Sequence, residues 1–220
     1  FTFTNGYANE GGGIVARNSA GLILGGNRFI ENTAENVGGG VFALNTNTFV
    51  DSCIFISNSA NVYDGGGLMV IADDSTGNRN VSINNSLFYQ NSADEGAGIY
   101  LGAYNNTYMD AYMNNSHFVE NTGDHNVGLR VAGNVYCGVY GGIFAGNQAQ
   151  AYAGAAGFSS YAYGWFNHSL FVGNQAGLNG GDYNSGAVSV WSYSYSDFYF
   201  CTFAYNSASY GSAVTGGMGA

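Results

Sequence analysis

The apolar positions of this chain fall on two interleaved motifs. The first reads F-x-x-N-x-A, at Phe29/Asn32/Ala34, Phe55/Asn58/Ala60, Phe88/Asn91/Ala93, Phe144/Asn147/Ala149, Phe171/Asn174/Ala176 and Phe203/Asn206/Ala208, with Phe118/Asn121 followed by Gly123. Asn5 keeps the asparagine, with Thr2 in the phenylalanine place. The second sets small residues before an apolar one: Gly11-Gly12-Gly13-Ile14, Gly38-Gly39-Gly40-Val41, Gly65-Gly66-Gly67-Leu68, Gly96-Ala97-Gly98-Ile99, Gly128-Leu129, Gly157-Phe158, Gly186-Ala187-Val188 and Ser212-Ala213-Val214. Successive phenylalanines lie 26 residues apart at the closest, Phe29 to Phe55, and 33 at the widest, Phe55 to Phe88. Such a period marks a solenoid, in which each repeat buries its apolar face against its neighbours.

Helical solenoids need long apolar stripes of period 3.6. Here the segments alternate with period two, are rich in Val, Ile, Phe and Tyr, and are broken by Gly and Asn, so strands are predicted. Apolar or small residues stand at every second place after the glycines, as in Val41/Ala43, Leu68/Val70 and Ile99/Leu101. Five residues before each phenylalanine runs the row Leu24, Val50, Ile83, Met113, Val139, Phe166 and Phe198; two before it runs Asn27, Cys53, Ser86, Ser116, Gly142, Ser169 and Cys201. Inward parity flips between these rows, which requires a two-residue turn. The expected fold is all-β, a right-handed parallel β-helix with three strands per coil and seven to eight coils, forming one domain over residues 1–220 that is open at both ends. Phe29, Phe55, Phe88, Phe118, Phe144, Phe171 and Phe203 become an internal stack. Asn5, Asn32, Asn58, Asn91, Asn121, Asn147, Asn174 and Asn206 become an internal amide ladder that also holds the turn backbone. The glycines are expected at coil corners, where φ > 0 costs them least.

The alternation of G-G-[AG]-[ILV] with F-x-x-N resembles the repeats of the chlamydial polymorphic outer membrane proteins, and the likeness covers nearly the whole chain. Those are autotransported surface adhesins, so the resemblance implies a surface location and an adhesive or scaffolding role. The likeness departs in two ways: the glycine motif here is often G-G-G, and no membrane-barrel domain follows the repeats within the 220 residues.

Composition narrows the partners. Lysine is absent, and four arginines face fourteen acids for a net charge of −10. No basic patch for nucleic acid can be assembled from them. No apolar run reaches the ~18 residues that span a bilayer, so no membrane insertion is expected. The chain opens at Phe1 without a signal-like stretch and reads as processed or excised.

Candidate chemistry is sparse. The adjacent acids Asp73 and Asp74, with Arg79 nearby, are the one place where a carbohydrate-active enzyme of the lyase or hydrolase type could be built. His117, His125 and His168 lack ligand spacing. Acids gather in the predicted loop between the asparagine and glycine motifs at Glu10, Glu35, Asp64, Asp94, Glu95, Asp124 and Asp182, but their register drifts and the calcium nonapeptide is absent, so neither metal nor cofactor is expected. Cys53, Cys137 and Cys201 read as unpaired inward residues of non-adjacent coils. N-x-[ST] sequons occur at Asn80, Asn84, Asn105, Asn114 and Asn167, of which Asn84, Asn114 and Asn167 share one place in the repeat, assigned to the turn. Tyr112, Tyr136, Tyr163, Trp165, Tyr193 and Tyr195 form an outward contact strip that could stack on sugars, fill an interface or simply brace the sheet.

These features together predict a non-enzymatic extracellular or cell-surface structural protein. It would be N-glycosylated and either adhesive or fibre-forming, its partners being copies of itself head to tail, neighbouring repeats of a longer chain, or glycans. The alternative is a carbohydrate-active β-helix enzyme.

Overall fold

The computed structural model describes residues 1–74, 77–178, 184–209 and 213–216. They form a parallel β-solenoid without helices, built of four sheets: three of eight strands and one of seven. One turn of the chain visits the sheets in order. In the turn that begins at Leu87, sheet 1 takes Leu87–Tyr89, sheet 2 Ser92–Glu95, sheet 3 Ile99–Ala103 and sheet 4 Met109–Asn114. Each strand pairs in parallel with its equivalent one turn on, so Phe88 faces Phe118 and Met113 faces Val139.

Four strands per turn replace the expected three. The additional strands lie in sheet 2, between the asparagine and the glycines, and are as short as Ser59–Ala60 and Gln175–Ala176. Each buries little more than the alanine that closes F-x-x-N-x-A: Ala34, Ala60, Ala93, Ala149 and Ala176 are all 8% exposed or less. A strand with one inward residue shows no alternation, which is why period-two reasoning passes over it. The two-residue turn required before the phenylalanine strand is present, for example at Asn85-Ser86 and Asn115-Ser116, between the strands of sheets 4 and 1.

The phenylalanines stack face to face along the interior, with centroids 4.6 Å apart for Phe55–Phe88 and Phe171–Phe203 and 5.3 Å for Phe88–Phe118. The stack starts one rung earlier than expected, because Phe3 pairs with Phe29 and their rings lie 4.9 Å apart. That register removes Asn5 from the amide ladder. Gly6 stands level with Asn32 and donates its N–H to Asn32 Oδ1 at 3.0 Å, while Asn5 turns outward and bonds Thr4.

From Asn32 to Asn206 the ladder is continuous. Each Nδ2 donates to the next Oδ1, at 2.9 Å for Asn32 to Asn58 and 3.1 Å for Asn91 to Asn121. The same Nδ2 also donates to a phenylalanine carbonyl of the preceding turn, as Asn91 does to Phe55 O at 3.0 Å. Each Oδ1 accepts a second bond from a backbone N–H, as Asn91 does from Asn58. Every donor and acceptor of a buried amide is thereby satisfied, which is the condition for burying one at all. The asparagines do not themselves hold the strained turn. Positive φ falls on the residue before each rung, at Glu31, Ser57, Gln90, Glu120 and Tyr205, with glycine at Gly146 and Gly173.

The small row two before the phenylalanine is a further ladder. Backbone N–H groups of Asn27, Cys53, Ser86 and Gly142 donate to Cys53 Sγ, Ser86 Oγ, Ser116 Oγ and Ser169 Oγ of the next turn, at 3.1 to 3.4 Å. Cys53 and Cys137 are buried, Cys201 is half-buried, and all three are free thiols.

The glycine motif is corrected in one respect. Of Gly38-Gly39-Gly40 only Gly38 has positive φ. Gly40 is required by crowding, since a Cβ there would lie 2.5 Å from Gly67 O and 3.2 Å from the Phe55 ring. Ser212 of the last such motif lies outside the described residues.

The interior holds two apolar clusters. The large one joins sheets 1, 3 and 4 through the phenylalanines, Leu68, Ile83, Ile99 and Leu101; the small one gathers Ala60, Ala93, Ala149 and Ala176 of sheet 2 with Ala97 and Val127. A third lies outside the solenoid. Phe42, Met69, Ile71, Tyr100 and Ala132 have outward parity on sheet 3, yet they pack against one another and against Leu44 and Tyr104 until none exceeds 9% exposure.

Candidate functional site

The sequons divide by structure. Asn84, Asn114 and Asn167 are the last residues of the sheet 4 strands Arg79–Asn84, Met109–Asn114 and Tyr163–Asn167, one residue before the turn assigned to them. The turn residues with positive φ are Asn85, Asn115 and His168. Their hydroxyl partners Ser86, Ser116 and Ser169 are buried rungs of the serine–cysteine ladder, so this tripeptide has a structural origin in the repeat. The carboxamides are also engaged: Asn114 Nδ2 donates to Asn84 Oδ1 at 2.8 Å, Asn84 Nδ2 to Ser82 Oγ at 3.0 Å, and Asn167 Oδ1 meets His168 Nδ1 at 2.6 Å. Asn80 is exposed on the outer face of sheet 4, and Asn105 is exposed at the corner between sheets 3 and 4.

Five of the strip's aromatics lie on sheet 4, but not in one row. Tyr136, Tyr163 and Tyr195 align across three strands; Tyr112, Gly138 and Trp165 form the neighbouring row. Tyr193 belongs to neither and stacks instead on Tyr161 at the corner, 5.3 Å between centroids. Tyr136 and Tyr163 lie face to face at 4.8 Å, and the Trp165 indole covers Gly138, where a Cβ would sit 2.4 Å from it. Rings stacked on each other turn edges outward, so the facing sides of Tyr136 and Tyr163 are used in bracing the sheet, while Tyr195 stays exposed. Tyr163 further ties its hydroxyl to Asp197 Oδ2 at 2.5 Å.

Most of these acids are partnered. Asp73 continues a short polar ladder, accepting from Asn45 Nδ2 at 2.9 Å, and Asp74 holds Arg79 at 2.6 Å. The two carboxylates therefore serve different partners. Of the acids between the asparagine and glycine motifs, Glu10 pairs with Arg17, Glu35 accepts from Tyr7 Oη, Asp94 meets His125 Nδ1 at 2.9 Å and Glu95 holds Arg130 at 2.6 Å. Glu10, Glu35, Asp94, Glu95 and Asp124 lie in sheet 2 strands rather than loops. Asp182 lies outside the described residues. Among the described residues no group of three His, Cys, Asp or Glu side chains is placed to hold a metal.

Asp64 is the exception electrostatically. Burial, then the negative charge of Glu95, push its carboxyl from the ordinary 3.8 up to about 7. Between roughly pH 4 and 7 the folded chain therefore keeps a proton that the unfolded chain has released, and stability falls as pH rises through that window. Asp64→Asn keeps the acceptor for the Glu95 N–H and removes the titration. The variant is expected to match the parent at pH 4 and exceed it at pH 8 in denaturant unfolding. Parallel stability curves across that range would refute the assignment.

Near these groups, on the outer face of sheet 3, a cleft of about 320 Å³ opens that no sequence motif announces. Glu95, Asn126, Arg130, Tyr152, Ser159, Trp191 and Ser192 line it. Arg130, its side chain 11% exposed, forms one wall, with Nε on Glu95 Oε2 at 2.6 Å and Nη2 on Ser159 Oγ at 2.7 Å. Tyr152 stands over His125 at 5.1 Å and meets Trp191 edge to face at 5.9 Å. These residues come from successive turns and lie 29 to 35 positions apart where they bond, so only the outward parity of Arg130 and the aromatic character of Tyr152 and Trp191 could have hinted at them. No family model matches this chain, and neither a curated protein nor a solved structure matches it.

Proposed function

We propose that this chain is a non-enzymatic extracellular structural protein, a right-handed rod of seven to eight coils that stacks end to end and presents N-glycosylated, adhesive outer faces. The coil number rests on sheets of seven and eight strands, and the handedness on the chirality of parallel crossovers. The surface setting rests on the repeat resemblance and on the exposed sequons Asn80 and Asn105.

One observation carries the reading: the two interior ladders and the phenylalanine stack are all made of contacts between adjacent turns, so the same groups that join turns within the chain can join a turn of another copy or of a neighbouring repeat. Asn206, for example, bonds Phe171 O with Nδ2 at 2.9 Å, and inner rungs give their second Nδ2 hydrogen to the next asparagine. A heterologous contact of this kind, repeated without closure, builds a filament.

The test is electron microscopy and fibre diffraction of the purified chain. Filaments one rod wide, with a meridional reflection at about 4.8 Å, are the expected result. A chain that sediments as a single monomer at every concentration up to the millimolar range overturns end-to-end stacking.

A further inference from the structure

We infer that the sheet 3 cleft is a binding site for a neutral pyranose sugar. The first support is how Tyr152 is placed. His125 pairs with Ala151 and Leu129 with Ala156, so four steps on one strand face five on the next, and the additional residue is a bulge. Tyr152 sits in it with φ of 61°, at the corner where Gly96 and Asn126 of the two preceding turns also have positive φ, so that conformation belongs to the repeat, and what is particular here is the inserted residue and the aromatic ring it carries. Its backbone is fastened on both sides, N–H to Asn184 Oδ1 at 2.8 Å and carbonyl to Ser185 N at 2.6 Å. Bulges of this kind re-aim a side chain at a site. Here the ring is aimed over the cleft beside Trp191, on the outer face, where the solenoid interior gains nothing from it.

The second support is the polar wall. A guanidinium offers five N–H donors, and Arg130 uses three of them, on Glu95, Ser159 and, at 3.4 Å, Val131 O. Two donors remain beside the second carboxylate oxygen of Glu95, a donor–acceptor set that fits adjacent hydroxyls, while Ser159 Oγ accepts from Arg130 and lies 3.3 Å from Ser160 Oγ. The third is charge. Arg130 and Glu95 neutralise each other, and the surrounding −10 chain repels an anion, whereas a cation would meet the guanidinium. A hydroxyl-rich neutral ring with one apolar face satisfies both aromatic and polar walls, and the cleft's volume suits one or two such rings. The site is independent of end-to-end stacking and stands whether or not the rod polymerises.

The chain has two tryptophans, so Trp165→Phe on sheet 4 leaves Trp191 as the only indole reporter. Its emission is titrated with cellobiose, lactose and maltose, and separately with glucuronate. A saturable change with at least one neutral disaccharide is expected, at least tenfold weaker in Tyr152→Gly and in Arg130→Met. Tyr152→Gly suits the bulge conformation, so its melting temperature should be equal or higher, which separates lost binding from lost folding. No saturable response to any of the three neutral sugars, a response to glucuronate alone, or undiminished binding in Tyr152→Gly overturns the assignment.

Discussion

Replacing Asn91 with aspartate should cost the rod about 4 kcal/mol or more at neutral pH, although the two side chains have nearly the same shape. Asn91 is wholly buried and makes four bonds: Oδ1 accepts from the Asn58 backbone and from Asn58 Nδ2, and Nδ2 donates to Phe55 O and Asn121 Oδ1. Aspartate preserves the acceptor half. Its second oxygen then confronts two acceptors, so the group must either carry an unpaired buried charge or take up a proton and satisfy only one of them. A carboxyl held in that position has its pKa raised, so the penalty grows as pH rises above about 4 and is smallest in acid. Denaturant unfolding at pH 4 and pH 7 measures both size and sign. Because a solenoid is held by nearest-neighbour interfaces, the lesion should also divide the rod and broaden its unfolding into two transitions. A loss below about 1 kcal/mol at pH 7 would mean that the amide ladder is not what joins the turns.

Phe88→Ala is expected to cost about 3–5 kcal/mol, a large share of the 5–15 kcal/mol that typically holds a domain folded. The ring is fully buried and sandwiched between Phe55 at 4.6 Å and Phe118 at 5.3 Å, and its neighbours are locked in their own stacks and cannot collapse into the void. Phe3→Ala provides the internal control. Phe3 is half-buried and stacks on Phe29 alone among the described residues, so its loss should be less than half as large. Equal effects at the two positions in calorimetric or denaturant measurements would show that stacking depth does not set the stability.

The rows that every turn repeats were legible in the chain. Phe29 to Phe203 and Asn32 to Asn206 occupy one place per repeat, and a buried stack or ladder tolerates few residue types at its rungs. Asn5 keeps the motif but not the rung, for a local reason: F-x-x-N is aligned by its asparagine, whereas strand register follows the phenylalanine, and Phe3 places Gly6 on the rung. The serine–cysteine rungs read as merely small, since nothing in a sequence tells a hydroxyl that fills space from one that accepts a backbone N–H a full turn away. Their burial changes the meaning of Asn84, Asn114 and Asn167, whose sequons arise from the ladder serines.

Outward residues are far less legible in the chain. Phe42, Met69, Ile71 and Tyr100 have the parity of solvated positions and are nevertheless covered, because large side chains on adjacent turns shield one another at strand spacing. Interior periodicity was written into the chain because each turn must present the same shape to the next. The outer face carries no such constraint. Which side chains meet there depends on turn lengths that vary between repeats and on a single bulged residue at Tyr152, and these are properties of the assembled coil that bring Glu95, Arg130, Ser159 and Trp191 to one place.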